Sequence, residues 1–189
     1  SKETTASDSK DDAYVSEELE NGDGSTTEYS IYDYRGYVNS AGVYINESLG
    51  IQFYPNEHWY ALSDEEANGM SIEDSLYTYA SFTDIYWVNP AGTLAMMVMI
   101  EVADVFIDDY KNAEEMARFY LSRYVEKSLE DGTEYSHTEP KVEYLCGKEF
   151  VSFQFTYVDI GMIVTESYIR IGDVYYSVTM YQTQPYEEY

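Results

Sequence analysis

Three segments near the C-terminal end leave this chain little freedom in its fold. In residues 149–158, Val151, Phe153, Phe155 and Tyr157 alternate with Ser152, Gln154 and Thr156. In 163–171, Ile163, Ile169 and Ile171 share one face, opposite Glu166 and Arg170. In 174–181, Val174, Tyr176, Val178 and Met180 alternate with Tyr175, Ser177, Thr179 and Tyr181. A side-chain period of two is that of a β-strand with unlike faces. Only Gly161 and Gly172-Asp173 mark the connections, too short for a crossover, so the strands are antiparallel hairpins. Residues 141–145 are expected to add an earlier strand.

Upstream, Leu94-Ala95-Met96-Met97-Val98-Met99-Ile100 is apolar without alternation. Such a run predicts a central strand covered on both faces. A strand over 85–88 precedes it and stops at Asn89-Pro90-Ala91-Gly92, a turn sequence. Short strands are expected at 43–46, after a turn over 39–42, and at 51–54, ended by Pro55. Ser63 followed by Glu66 has the capping-box form and predicts a short helix over 63–69. Residues 112–130 predict one long helix. Asn112 is placed to cap it, Glu114 and Glu115 sit in the first turn, and Met116, Ala117, Tyr120, Leu121, Tyr124 and Val125 form an apolar stripe. The fold class expected is α+β: an antiparallel sheet with one long helix at about 112–130 and short helices covering its faces.

The chain has 189 residues and a formal net charge of −26. That excludes nucleic-acid binding through a basic surface and argues against docking on anionic lipid. Residues 1–30, rich in Ser, Thr, Asp and Glu, hold nine acids and two lysines and read as a flexible tether. Residues 31–189 read as a single domain that keeps most of the negative charge. High net charge favours a soluble monomer. The one cysteine, Cys146, excludes an internal disulfide and is expected to be a buried structural thiol. No stretch of about 18 apolar residues is present. A start at Ser1 is that expected of a processed chain.

The order of these elements resembles the PsbP-like fold of PsbP, Mog and bacterial lipoproteins of the DcrB type. The resemblance starts at Tyr44-Ile45-Asn46 and runs through Leu49-Gly50-Ile51-Gln52-Phe53-Tyr54-Pro55 to Trp59. It continues through the apolar strand, the long helix and Cys146-Gly147-Lys148-Glu149, and closes on Gly172-Asp173-Val174-Tyr175-Tyr176. It spans about residues 43–183. The resemblance implies a sandwich of antiparallel sheet and helices, with no set chemistry. It also implies a bacterial protein exported to the cell surface and often lipid-anchored, with 1–30 as the tether and the anchor outside this sequence.

Candidate chemistry is sparse. His58 and His137 lie in polar, turn-like segments and are expected at the surface; no nucleophile motif accompanies them. No zinc motif is present. Asn21-Gly22-Asp23-Gly24 fails as a calcium loop, because Leu19 and Ser30 fall at its end ligand positions. Asp108-Asp109 and Asp64-Glu65-Glu66 read as solvated turns and helix starts. No catalytic residue, cofactor or metal is assigned. The 23 tyrosines are the remaining signal. Tyr86, Trp87, Tyr175 and Tyr181 are the candidate contacts for a ligand or partner, since Tyr and Trp stack on sugars and anchor interfaces. The competing reading makes these rings core under a covering helix. The function expected is a non-catalytic binding module for an unknown protein or glycan. The alternative is a carboxylate-dependent hydrolase of extracellular glycans, favoured if a pocket holds two close acids with raised pKa.

Overall fold

The computed structural model describes residues 31–55, 58–63, 66–68 and 81–183. The segment 1–30 and the calcium-like sequence within it lie outside the described residues. The chain is α+β and mostly antiparallel sheet. Three short strands, β1 (Tyr37–Val38), β2 (Tyr44–Asn46) and β3 (Ile51–Phe53), form a small sheet. A large sheet contains β4 (Tyr60–Ala61), β5 (Ser81–Val88), β6 (Leu94–Val102), β7 (Tyr135–His137), β8 (Lys141–Leu145), β9 (Lys148–Tyr157), β10 (Met162–Ile171) and β11 (Val174–Thr183). Its order is β4-β5-β6-β11-β10-β9-β7, and β8 also pairs with β9. The helix α1 (Ala113–Asp131) joins β6 to β7.

The expected hairpins are present, each strand within a residue or two of its expected bounds. The expected strand at 85–88 starts earlier, at Ser81, because its pairing with β6 continues on the far side of a bulge between Thr83 and Ile85. Helix α1 starts where Asn112 accepts from the Glu115 amide at 2.9 Å, and ends at Gly132 in the left-handed region (φ 67°). The capping box at Ser63 forms as expected. Its amide donates to Glu66 at 2.9 Å and its hydroxyl accepts from the Glu66 amide at 3.3 Å. Residues 66–68 are helical; the rest of that expected helix lies outside the described residues.

Two cores sandwich the large sheet. On one face, α1 packs most closely on β9 and β10, burying Met116, Ala117 and Leu121 against Phe153, Phe155, Tyr168 and Tyr175. On the other, Tyr44 and Leu49 of the small-sheet region pack on Ile85, Trp87, Met96, Val98 and Ile100. Among the described residues this second layer is built mainly by β1–β3, with a 3-10 turn at Ile31–Tyr34. The expectation for Cys146 is corrected. That residue is exposed at the tip of the β8–β9 hairpin, with φ 51° followed by Gly147 at 78°. Two consecutive positive φ values are what a two-residue type I′ hairpin demands, so the thiol is carried out to solvent by the turn.

Candidate functional site

The apolar run on β6 is not equally covered on its two sides. Met96, Val98 and Ile100 are buried under the small sheet, whereas Met97 and Met99 on the opposite side are only half-buried. The reason is lateral. Helix α1 lies over β9 and β10, so the same face of β6 and β11 is roofed incompletely. The gap is a groove of about 300 Å³ along the flank of α1. Met97, Met99, Thr179 and Tyr181 form part of its sheet side; Tyr120, Arg123, Tyr124 and Lys127 form its helix side. A second depression, on the other flank of α1, is lined by Leu121, Val125 and His137 but by no buried acid.

Two carboxylates lie under the helix. Glu166 on β10 pairs in register with Thr179, and Glu101 on β6 with Tyr175. They thus flank β11 from either side, four residues apart along it. Tyr120 and Tyr124, one turn apart on α1, reach one acid each. The Tyr120 hydroxyl donates to Glu101 at 2.6 Å, and the Tyr124 hydroxyl to Glu166 at 2.6 Å. Tyr110 adds a second donor to Glu101 at 2.5 Å, and Thr179 a second to Glu166 at 2.8 Å. Among the described residues no base lies within ion-pair range of either acid. Burial therefore dominates. It pushes the Glu166 carboxyl up to about 7 against the hydroxyl donors that lower it, and it raises Glu101 as well. The phenols of Tyr110, Tyr120 and Tyr124 are raised in turn by burial and by the facing carboxylates.

Glu166 lines the groove; Glu101 does not. Beside Glu166, the Ser177 hydroxyl also lines the groove, is 1% exposed, and has no hydrogen-bond partner. A buried hydroxyl without a partner is unusual enough to need a cause.

The four candidate contacts separate. Tyr181 lines the groove and is half-buried. Tyr86 is half-buried and pairs across to Met97, a groove residue. Trp87 is 3% exposed in the small-sheet core, and Tyr175 is fully buried under α1. Both histidines are exposed, and Asp108 and Asp109 sit in an exposed turn. The described residues hold no group of three metal-ligating side chains. Alternation alone places Glu166 opposite the isoleucines of its strand and Ser177 on the face of Tyr175 and Tyr181, and singles out neither. The signal that finds them is the pairing of acids and hydroxyls on those strands with a Tyr-rich stripe on the helix.

No protein-family model and no curated protein matches the chain. Among solved structures it is similar to cyanobacterial PsbP (CyanoP) from Synechocystis sp. PCC 6803, with 11% identity and a TM-score of 0.44, over 79% of this chain and 80% of that one.

Proposed function

We propose that the chain is a non-catalytic binding module whose ligand, carried on a protein or a glycan, enters the groove beside α1. In this reading it is an exported bacterial surface protein of the wider family that includes the DcrB-type lipoproteins. Residues 1–30 space the domain from a lipid anchor outside this sequence. The observation that supports binding is the groove itself: half-buried methionine and tyrosine side chains around a few buried polar groups, the composition of a ligand pocket. Glycan and peptide arrays probed with the full chain and with Tyr181→Ala test it. Binding lost in the variant is expected; two empty arrays would sink the reading.

A second reading, hydrolysis of glycans, is favoured by one observation. The Glu166 carboxyl, pushed up to about 7, is tuned as a general acid would be. Against it, only one of the two acids buried under α1 reaches the groove, so the pair that carboxylate chemistry needs across a cleft is not assembled there. Release of reducing ends from a glycan panel, abolished by Glu166→Gln, would establish hydrolysis; none is expected.

A further inference from the structure

We propose that the groove takes a small zwitterion, entering with a substituted ammonium group that seats against Glu166 among the phenol rings while its anionic group stays at the mouth beside Arg123. The inference rests on the binding reading above and names its ligand class.

The first support is an uncompensated acid. Elsewhere in the same sheet, buried Asp84 has Arg35 at 3.3 Å. Glu166 is buried with hydroxyl donors alone, from Tyr124, Thr179 and Tyr168, and a carboxylate has acceptor sites for about four. A buried anion is stabilised by a cation. Among the described residues none serves, and the groove is the opening through which one can arrive. The second support is the Ser177 hydroxyl, buried, unpartnered and lining the same groove. It is an unused polar contact at the place where the ammonium end would lie. The third is the lining of tyrosine rings, whose π-faces attract substituted ammonium groups.

The mouth carries the opposite sign. Arg123 and Lys127, two of only ten bases in the chain, line the groove from α1. Lys127 is engaged by Asp131 at 3.2 Å, while the Arg123 guanidinium rests over the Phe119 ring at 5.7 Å. A bare cation would meet these bases on entry, and a bare anion would meet the field of a chain at −26. A zwitterion oriented ammonium-inward satisfies both. At about 300 Å³ the groove is at the small end of ligand sites, the size of a headgroup rather than a polymer.

Isothermal titration of the full chain with phosphocholine tests the proposal, with choline and inorganic phosphate as the two half-ligands. Phosphocholine is expected to bind, choline about tenfold more weakly, and phosphate not at all. Glu166→Gln, whose amide oxygen accepts from one of the Tyr124 and Thr179 hydroxyls while its amide nitrogen donates to the other, is expected to weaken phosphocholine and choline alike by about tenfold or more. Arg123→Ala is expected to weaken phosphocholine to the level of choline and leave choline unchanged. Choline, whose charge is fixed, is also expected to bind more tightly between pH 6 and 8 as Glu166 ionises, and this pH dependence disappears in Glu166→Gln. The groups facing Glu166 are Tyr120 and Tyr124 from α1, Tyr157 from β9, and Thr179 and Tyr181 from β11, with Tyr168 on its own strand and Glu101 on β6. The phenols among these that shift are all raised above their ordinary value and stay neutral across that range. Phosphatidylcholine vesicles separate the sources. Vesicle binding lost in Glu166→Gln places the zwitterion on a lipid, and binding of free phosphocholine without vesicles places it on a soluble or glycan carrier. Wild-type chain that ignores phosphocholine, or Glu166→Gln that binds it equally well, overturns the inference. If phosphocholine fails while array binding is lost in Tyr181→Ala, the ligand class is wrong and the binding module stands.

Discussion

The two faces of the large sheet bury acids by opposite means. Toward the small sheet, Asp84 is the extra residue of the β5 bulge, and its side chain is wholly buried. It collects Arg35 at 3.3 Å, the Tyr44 hydroxyl at 2.6 Å, the Gly36 amide at 2.8 Å and the Asn46 amide at 3.2 Å. Its charge is balanced and its lone pairs are filled, so the node ties β2 and the preceding loop to the sheet. Gly36 is needed there, because a Cβ would stand 2.7 Å from the Ile45 carbonyl oxygen. Toward the helix, Glu101 and Glu166 meet only hydroxyls. A network of the first kind fastens one element to another. The second kind trades stability for a carboxylate that can still respond to protons or to a cation.

The comparison is tested most severely at Asp84. Asp84→Ala leaves Arg35 and three other donors without their acceptor, and is expected to cost about 4 kcal/mol in urea unfolding. Glu166→Gln is expected to do the reverse. Between its ordinary 4.5 and about 7, folded Glu166 keeps a proton that the unfolded chain has lost. Stability therefore falls as pH rises through that window. The variant should gain roughly 3 kcal/mol at pH 8 and almost nothing at pH 4.5. A gain independent of pH would show that Glu166 is not the titrating group. Tyr124→Phe removes a donor to that carboxylate and should cost about 1.5 kcal/mol at pH 8, less at pH 5. Asn112→Ala should cost about 1 kcal/mol equally at both pH values, separating loss of the cap from loss of the acid's partner.

The sequence made the strands, the long helix and both caps legible, because periodicity and capping chemistry are local. Which face of a strand the helix covers is not local. Alternation put Tyr175, Ser177, Thr179 and Tyr181 on one side of β11, correctly as a set. Only the path of α1 over β9 and β10 buries Tyr175 and leaves Tyr181 in the groove. The run 94–100 implied cover on both faces; the groove exists because the helix reaches too little of one. Asp84 was unreadable for a further reason. A bulge adds a residue out of phase, and a period-two reading starting at Ile85 does not extend back to it. Alternation places Glu166 opposite Ile163, Ile169 and Ile171, and nothing along β10 announces a tyrosine arriving from α1, 42 residues upstream.

The helix is clasped to the sheet by phenols, and phenols absorb in the near ultraviolet. Exposed tyrosines ionise near pH 10, whereas Tyr110, Tyr120 and Tyr124 are held neutral well beyond it by burial and their carboxylate partners. An alkaline absorbance titration of the native chain should therefore resolve two populations of rings. The late one would ionise only when α1 lifts from the sheet. The clasp that fixes the helix thus also gives it an intrinsic optical signal, readable without any added label.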